Sequence, residues 1–303
     1  MSWLGLVIGC AYALLGASIV INAAWMRRHL RHPTLVRAVV GLGSLAGLPS
    51  GIVLAWPSMD GALTWEPYVV GLDLLLLLGL LVLLFSARRV GKVSSHARRV
   101  LVVATHPDDL ELACGGTLAR FVDHGHEVRA IIMSHGAAGG REDNREREAY
   151  SGAEVLDLAG VSVREFTDTM MATEINKMVG VVELAIDLFQ PDIVITHSAH
   201  DQHQDHHAVH LATVRAARRC TTVLCFESPS ADAQFTPQYF VDIGDYVDVK
   251  IDSVKAHHDQ AGKPYMSPEH LRGLATFRGS QAKVRHAEGF EVLRGLSSGL
   301  GDL

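Results

Sequence analysis

Cysteine is scarce, with four thiols (Cys10, Cys114, Cys220 and Cys225) among 303 residues. Their spacing fits neither a zinc ribbon nor a disulfide framework, so a reducing compartment is expected. The net charge is −6, and no basic, aromatic-laced stretch is present, so nucleic acid is not an expected partner. The G-x-G-x-x-G dinucleotide loop is also missing. Gly115 and Gly116 follow a strand-like run, but carboxylates stand where a pyrophosphate would need backbone donors. His206 and His210 have the spacing of an H-E-x-x-H helix, yet His207 replaces the glutamate, and His210 reads as an ordinary helix residue.

Apolar residues are plentiful, at 48% with a mean hydropathy of +0.18, and the excess sits before residue 91. Residues 3–25 carry no charge, and 38–56 and 68–87 form two further apolar runs. Each is long enough to cross a hydrocarbon core of ~30 Å as a helix. Pro49 and several glycines interrupt the second run, which membrane helices tolerate. Trp25, Trp56, Trp65 and Tyr68 fall near the ends, where amphipathic rings prefer to sit. Arg27, Arg28, Arg31 and Arg37 follow the first run and Arg88, Arg89, Lys92, Arg98 and Arg99 the third, whereas Asp60 and Glu66 lie between the second and third. Positive loops stay inside, so the expectation is a multi-pass protein of the cell membrane with its N-terminus outside and its remainder cytoplasmic. The first run lacks the basic start of a signal peptide and is too long for one. Asp73, inside the third run, reads as a snorkelling or helix-packing carboxylate rather than a transport residue.

Past a linker at 91–98 the pattern changes, and 99–303 reads as a separate domain. Strand-like runs at 100–105, 127–133, 192–197 and 221–226 alternate with helical ones at 110–125, 145–160, 175–190 and 205–219. This predicts an α/β fold with a Rossmann-like, mostly parallel sheet and helices on both faces, preceded by three transmembrane helices. Ligands of such sheets bind beyond the carboxyl ends of the strands. Two polar clusters fall there: THPDDLE at 105–111, and THSAHDQHQDHH at 196–207.

Crowded carboxylates repel and lose hydration when buried, unless a cation offsets them. His106 and Asp109, three residues apart, can aim at one point from a turn or helix start. With one histidine from 203–206 they make an open, three-ligand zinc site. Asp108 is then a spare carboxylate able to serve as general base. Glu111 is not needed, and reads as supporting the loop or capping the following helix. Zinc and ferrous iron both suit two histidines and a carboxylate.

These residues resemble the PIG-L/LmbE family of zinc-dependent N-deacetylases. The A-H-P-D-D-x-E fingerprint reads A-T-H-P-D-D-L-E here, with Thr105 inserted, and G-G-T-L follows at 115–118. The second motif, T-H-x-x-x-D-x-H-x-D-H, matches 196–206. Weaker matches are Arg145 with Glu148, Asp168, His257 with Gln260, and Ala287 to Phe290. The resemblance covers about residues 99–293, outside the membrane runs. It implies that His106, Asp109 and His206 bind the metal and that Asp108 is the base. His203 would be an imidazolium stabilising the oxyanion, with Asp205 orienting it, and Arg145 and Asp168 would contact the sugar.

The function expected is removal of the N-acetyl group from an N-acetylglucosamine-containing substrate by metal-activated water. An anchor favours a lipid-linked or membrane-delivered substrate, although an anchor can also merely localise an enzyme that acts on a soluble amino sugar. Alternatives are an amidase for a larger acyl group or a thiol-sugar conjugate, and a non-catalytic, membrane-anchored metal-binding protein. Asp108 and His203 speak against the last, since neither is required merely to hold zinc.

Overall fold

The computed structural model describes residues 3–30, 33–55, 66–88, 94 and 96–296. Trp56, Asp60, Trp65, Arg31, Arg89, Lys92 and half of the 91–98 linker lie outside them, as do the side chains of Arg27, Arg28 and Glu66. The chain divides into two compact units, Met1–Val90 and Gly91–Leu303.

The first unit is helical: α1 (Trp3–Ile21), α2 (Ala23–His29), α3 (Pro33–Ala55) and α4 (Glu66–Ser86). Three stretches, of 19, 22 and 20 residues within α1, α3 and α4, are long and apolar enough to cross a membrane. The first and second are offset from expectation. The charge-free run divides after Ile21, and α3 begins at Pro33, where proline suits a helix start. Glycine lets α1 and α3 approach closely. A Cβ on Gly51 would stand 2.6 Å from Gly9, and one on Gly47 would strike the ring of Tyr12 at 2.1 Å. Asp73 on α4 is a helix-packing carboxylate. Its Oδ1 accepts from Ser50 Oγ of α3 at 2.8 Å and from the Tyr12 hydroxyl of α1 at 3.3 Å.

The second unit is a seven-stranded sheet in the order β3-β2-β1-β4-β5-β7-β6. It contains β1 (Arg99–Ala104), α5 (Asp109–Asp123), β2 (Glu127–Ile132), α6 (Glu142–Leu156), β3 (Gly160–Val163), α7 (Ile175–Phe189), β4 (Ile193–His197), α8 (Gln204–Ala216), β5 (Val223–Phe226), β6 (Tyr239–Asp242), α9 (Val247–Val254), α10 (Pro268–Ala282) and β7 (Ala287–Arg294). Strands β1 to β5 pair in parallel, and β7 runs antiparallel to β5 and to β6. Strand β1 shows why both faces are covered. Alternate side chains point to opposite sides, so Val100 and Val102 enter the core under α5, α6, α9 and α10. Leu101 and Val103 enter the one under α7 and α8.

Strand order reverses between β1 and β4. Chain order runs outward through β2 and β3 on one side and through β5 on the other, which opens a crevice at the carboxyl ends of β1 and β4. Both polar clusters end up in that crevice. Helix α5 is broken at Cys114 (φ −138°, ψ 18°). The amides freed at the break, of Gly116 and Thr117, donate to the buried carboxylate of Glu288 at 3.1 and 2.7 Å. Lys250 of α9 pairs with the same carboxylate at 2.5 Å.

Candidate metal and catalytic site

The turn after β1 starts α5 at Asp109, and this geometry doubles the carboxylate back on its own loop. Asp109 Oδ2 accepts from the amides of Thr105 and His106 at 3.2 and 2.7 Å. Beyond β4 the chain forms a loop and then α8, whose N-terminal cap is His203. The first turn of α8 places His206 over the β1 loop. A cavity of about 360 Å³ opens above, lined by residues that include His106, Asp108, Asp109, Arg145, Asp168, His203, His206, Lys263 and Tyr265.

His106, Asp109 and His206 converge. His106 Nδ1 and His206 Nε2 are 3.2 Å apart, and the Asp109 carboxylate brings Oδ2 to 3.6 Å from the first and Oδ1 to 3.4 Å from the second. Ligand atoms at tetrahedral angles around zinc, each ~2.05 Å from it, are separated by ~3.3 Å. Three donors, nearly in contact and buried, fit a metal by spacing and by type. Overlapping groupings of His106, His203 and His206, of Asp109, His197 and His206, and of His106, Asp168 and Asp205 also have ligand atoms within 4.8 Å of one another.

The electrostatics favour a cation here. Burial opposes charge on His106, yet Asp109 and Asp168 raise its pKa to about 10. Burial also opposes ionisation of Asp109, but His206 and His197 hold its carboxyl well below the usual range. The pocket therefore retains positive charge among its acids even as protons.

The rings are oriented from behind. His206 Nδ1 faces Asp201 Oδ2 at 2.8 Å, and Ser228 and Ser230 donate to that carboxylate at 2.5 and 2.6 Å. His106 Nε2 lies 3.0 Å from Asp168 Oδ1, whose other oxygen accepts from the Ala138 amide at 2.8 Å. Histidine ligands are commonly fixed by a carboxylate on the far nitrogen. Asp168 thus borders the cavity while engaged with His106. Arg145, from α6, is also engaged. It donates to Asp108 Oδ1 at 2.8 Å and to the Gly136 carbonyl at 2.7 Å.

Asp205 is placed differently from expectation. Its backbone amide, not its carboxylate, meets His203, donating to Nδ1 at 3.2 Å. The carboxylate turns the other way and accepts from the amides of Thr169 and Met171 at 2.6 and 3.2 Å. It orders the loop carrying Asp168 and leaves the imidazole to the helix cap. His203 is pushed below the ordinary histidine range, first by burial and then by His206 and His106.

Glu111 does not cap α5. It lies 3.2 Å from His257, both fully buried, against Gly152, where a Cβ would stand 2.3 Å from its oxygen. His210 is structural, with Nδ1 2.8 Å from the His197 carbonyl. Sequence reasoning assigned no role to His197 or Asp201, although both stand in the T-H-x-x-x-D motif. Ser228, which reaches Asp201, and Ser230, Lys263 and Tyr265, which line the cavity, carry no signal in the sequence, because only folding brings them there.

The family model described as PIG-L: GlcNAc-PI de-N-acetylase matches residues 101–217, from β1 to the end of α8. The uncharacterized deacetylase YaiS of Escherichia coli is 33% identical over 173 residues, covering 54% of this chain and 93% of that protein. The diacetylchitobiose deacetylase of Thermococcus kodakarensis is 24% identical over 234 residues, covering 69% and 88%. The crystal structure of the conserved protein TT1542 from Thermus thermophilus superposes with a TM-score of 0.59 at 25% identity, covering 66% of this chain and 96% of that one. The match to YaiS runs nearly the whole length of that protein, and the family model spans both polar clusters: this chain belongs to the PIG-L family, with deacetylases among its homologues.

Proposed function

We propose that the protein is a metal-dependent N-deacetylase that releases acetate from an N-acetylglucosamine-containing substrate. The observation that carries this reading is the convergence of His106, Asp109 and His206 within 3.2–3.6 Å at the cavity floor that Asp108 also lines. These three residues would hold zinc or ferrous iron. Such an ion supplies Lewis acidity toward the acetyl carbonyl and lowers the pKa of water.

The protein groups do the rest. Arg145 holds one oxygen of Asp108, which leaves the other for the proton transfer proposed here. Asp108 accepts a proton as water adds to the carbonyl carbon, then returns it to the nitrogen as the C–N bond breaks. His203 accepts from the Asp205 amide at Nδ1, so in the neutral ring the proton sits on Nε2. That N–H donates to the carbonyl oxygen as negative charge develops. The products are acetate and a free amino sugar. Arg145 and Asp168 are the proposed sugar contacts. The homologue named for diacetylchitobiose and the family described by a GlcNAc-lipid support the amino-sugar class.

The α1, α3 and α4 helices anchor the enzyme in the cell membrane, with the N-terminus outside and residues 99–303 in the cytoplasm, facing a membrane-delivered substrate. The distribution of arginines supports this orientation. Acetate release from N-acetylglucosaminides by the purified full chain tests the chemistry, with chelation expected to abolish it and zinc or ferrous iron to restore it. Absence of acetate from metal-loaded protein across neutral, acidic and lipid-linked glycosides would overturn the reading. A reporter fused after residue 303 should behave as cytoplasmic.

A further inference from the structure

Of the two basic side chains besides histidine among the residues lining the cavity, Arg145 is tied to Asp108 at 2.8 Å, and Lys263 is not held in this way. Lys263 lines the cavity half-buried, with its ammonium 5.7 Å from the centroid of the Tyr265 ring. Among the described residues no carboxylate pairs with it. A half-buried ammonium that no carboxylate meets is one that an incoming anion can pair with.

The lysine is held in place by its backbone. Its amide donates to the Gln260 carbonyl at 3.1 Å, and its own carbonyl accepts from the buried Met266 at 3.0 Å. Gln260, also buried, donates its side-chain amide to the Gly139 carbonyl at 3.1 Å. Gly139 forms the facing wall. A Cβ there would lie 2.8 Å from Arg145 Nη1 and 3.9 Å from Lys263 Nζ. The absent side chain leaves an opening between the Asp108-bound guanidinium and the free ammonium.

We propose that Lys263, beside Tyr265, forms a subsite for an anionic substituent, a phosphate or carboxylate, on the group linked to the amino sugar. The proposal rests on the deacetylase reading and deepens it. Tyr265 offers a ring face for the linked group, and Lys263 offers the charge. A charged hydrogen bond of this kind makes roughly a 10- to 100-fold difference in affinity.

The test uses a matched set: N-acetylglucosaminyl-inositol, the same glycoside phosphorylated on inositol, and its phosphatidylinositol counterpart in neutral phosphatidylcholine vesicles. Wild-type full chain should show a KM roughly 10- to 100-fold lower for the phosphorylated glycoside than for the neutral one. In Lys263→Gln that ratio should fall toward one, while Lys263→Arg should keep most of it. If soluble and lipid-borne phosphates are preferred equally, the anion is the determinant. If only the vesicle substrate is preferred and Lys263→Gln retains that preference, the lipid and not Lys263 is recognised, and the proposal fails. Equal KM for neutral and phosphorylated glycosides in the wild type also overturns it. Calorimetric binding of the phosphorylated glycoside to wild type and Lys263→Gln separates the two readings. Loss of turnover on all three substrates sinks the deacetylase assignment, whereas unchanged binding in Lys263→Gln sinks the subsite.

Discussion

Asp201 Oδ2 stands 2.8 Å from His206 Nδ1, so the Nε2 of that ring is presented to Asp109 and His106. Asp201 is itself held by Ser228 and Ser230. Its replacement should leave three ligands but unfix one of them. Asp201→Asn is expected to weaken metal affinity roughly 10- to 100-fold, measured by competition with a chromophoric chelator. His206→Ala should lose stoichiometric metal altogether. Unaltered affinity in Asp201→Asn would remove the orienting role.

Asp108→Asn keeps the volume and a hydrogen-bonding oxygen near Arg145 but loses the proton acceptor. Metal content should be retained and kcat should fall by roughly 10²- to 10⁴-fold. Elemental analysis together with steady-state kinetics would check both. Near-normal turnover would move the base elsewhere.

His203 gives a prediction in pH. The family resemblance implies an imidazolium, but the ring's surroundings push its pKa below the ordinary value, through burial first and then His206 and His106. A divalent cation beside it pushes in the same direction. A lowered pKa means the ring loses its proton below pH ~6.5 and is neutral above it. If the neutral Nε2–H is the donor, His203→Ala should lower kcat/KM by roughly 10²- to 10³-fold at every pH from 7 to 9. The two profiles would then run parallel. An alkaline limb present in wild type and missing from His203→Ala would show instead that the protonated ring acts.

The buried pair of Lys250 and Glu288 concerns stability. Glu288 satisfies two amides at the break in α5 as well as the ammonium. Glu288→Ala strands all three donors, and a loss of about 3–5 kcal/mol is expected, readable by urea denaturation of the full chain in detergent. Replacing the pair together, as Lys250→Met with Glu288→Gln, should cost less, because the amides keep an acceptor and no charge is left alone. Equal losses would show that the ion pair is not the relevant unit.

Much of the domain was legible because local pattern and tertiary demand coincide. The runs 100–105, 127–133 and 192–197 are apolar because they are buried on both faces, and each contains a strand. The short β3, with four residues only partly buried, lacks that signature. Strands β6 and β7 are not legible because β6 is a half-buried edge strand and β7 is buried only over its first half, and α9 and α10 because their apolar stripes are broken by polar residues. At the site, His106, Asp108, Asp109, His203 and His206 could be named because they lie within two short motifs. Asp205 could also be named, but its direction could not. A residue in the first turn of a helix can aim its carboxylate at the cap or at a neighbouring loop, and only the packing of residues 168–171 decides between them.

The two histidines of the candidate metal cluster, His106 and His206, are a hundred positions apart in sequence, and they meet only where β1 lies alongside β4. The unfolded chain has no such cluster to offer. An ion held there is therefore a clasp across the middle of the sheet, and its occupancy is coupled to folding. At a free ion concentration a hundred times the dissociation constant, the coupling amounts to about 2.7 kcal/mol, a sizeable share of a domain's total stability. Metal starvation would then act twice, silencing the enzyme and loosening the strands that frame its crevice, so that the apo protein would be the form first taken by proteases.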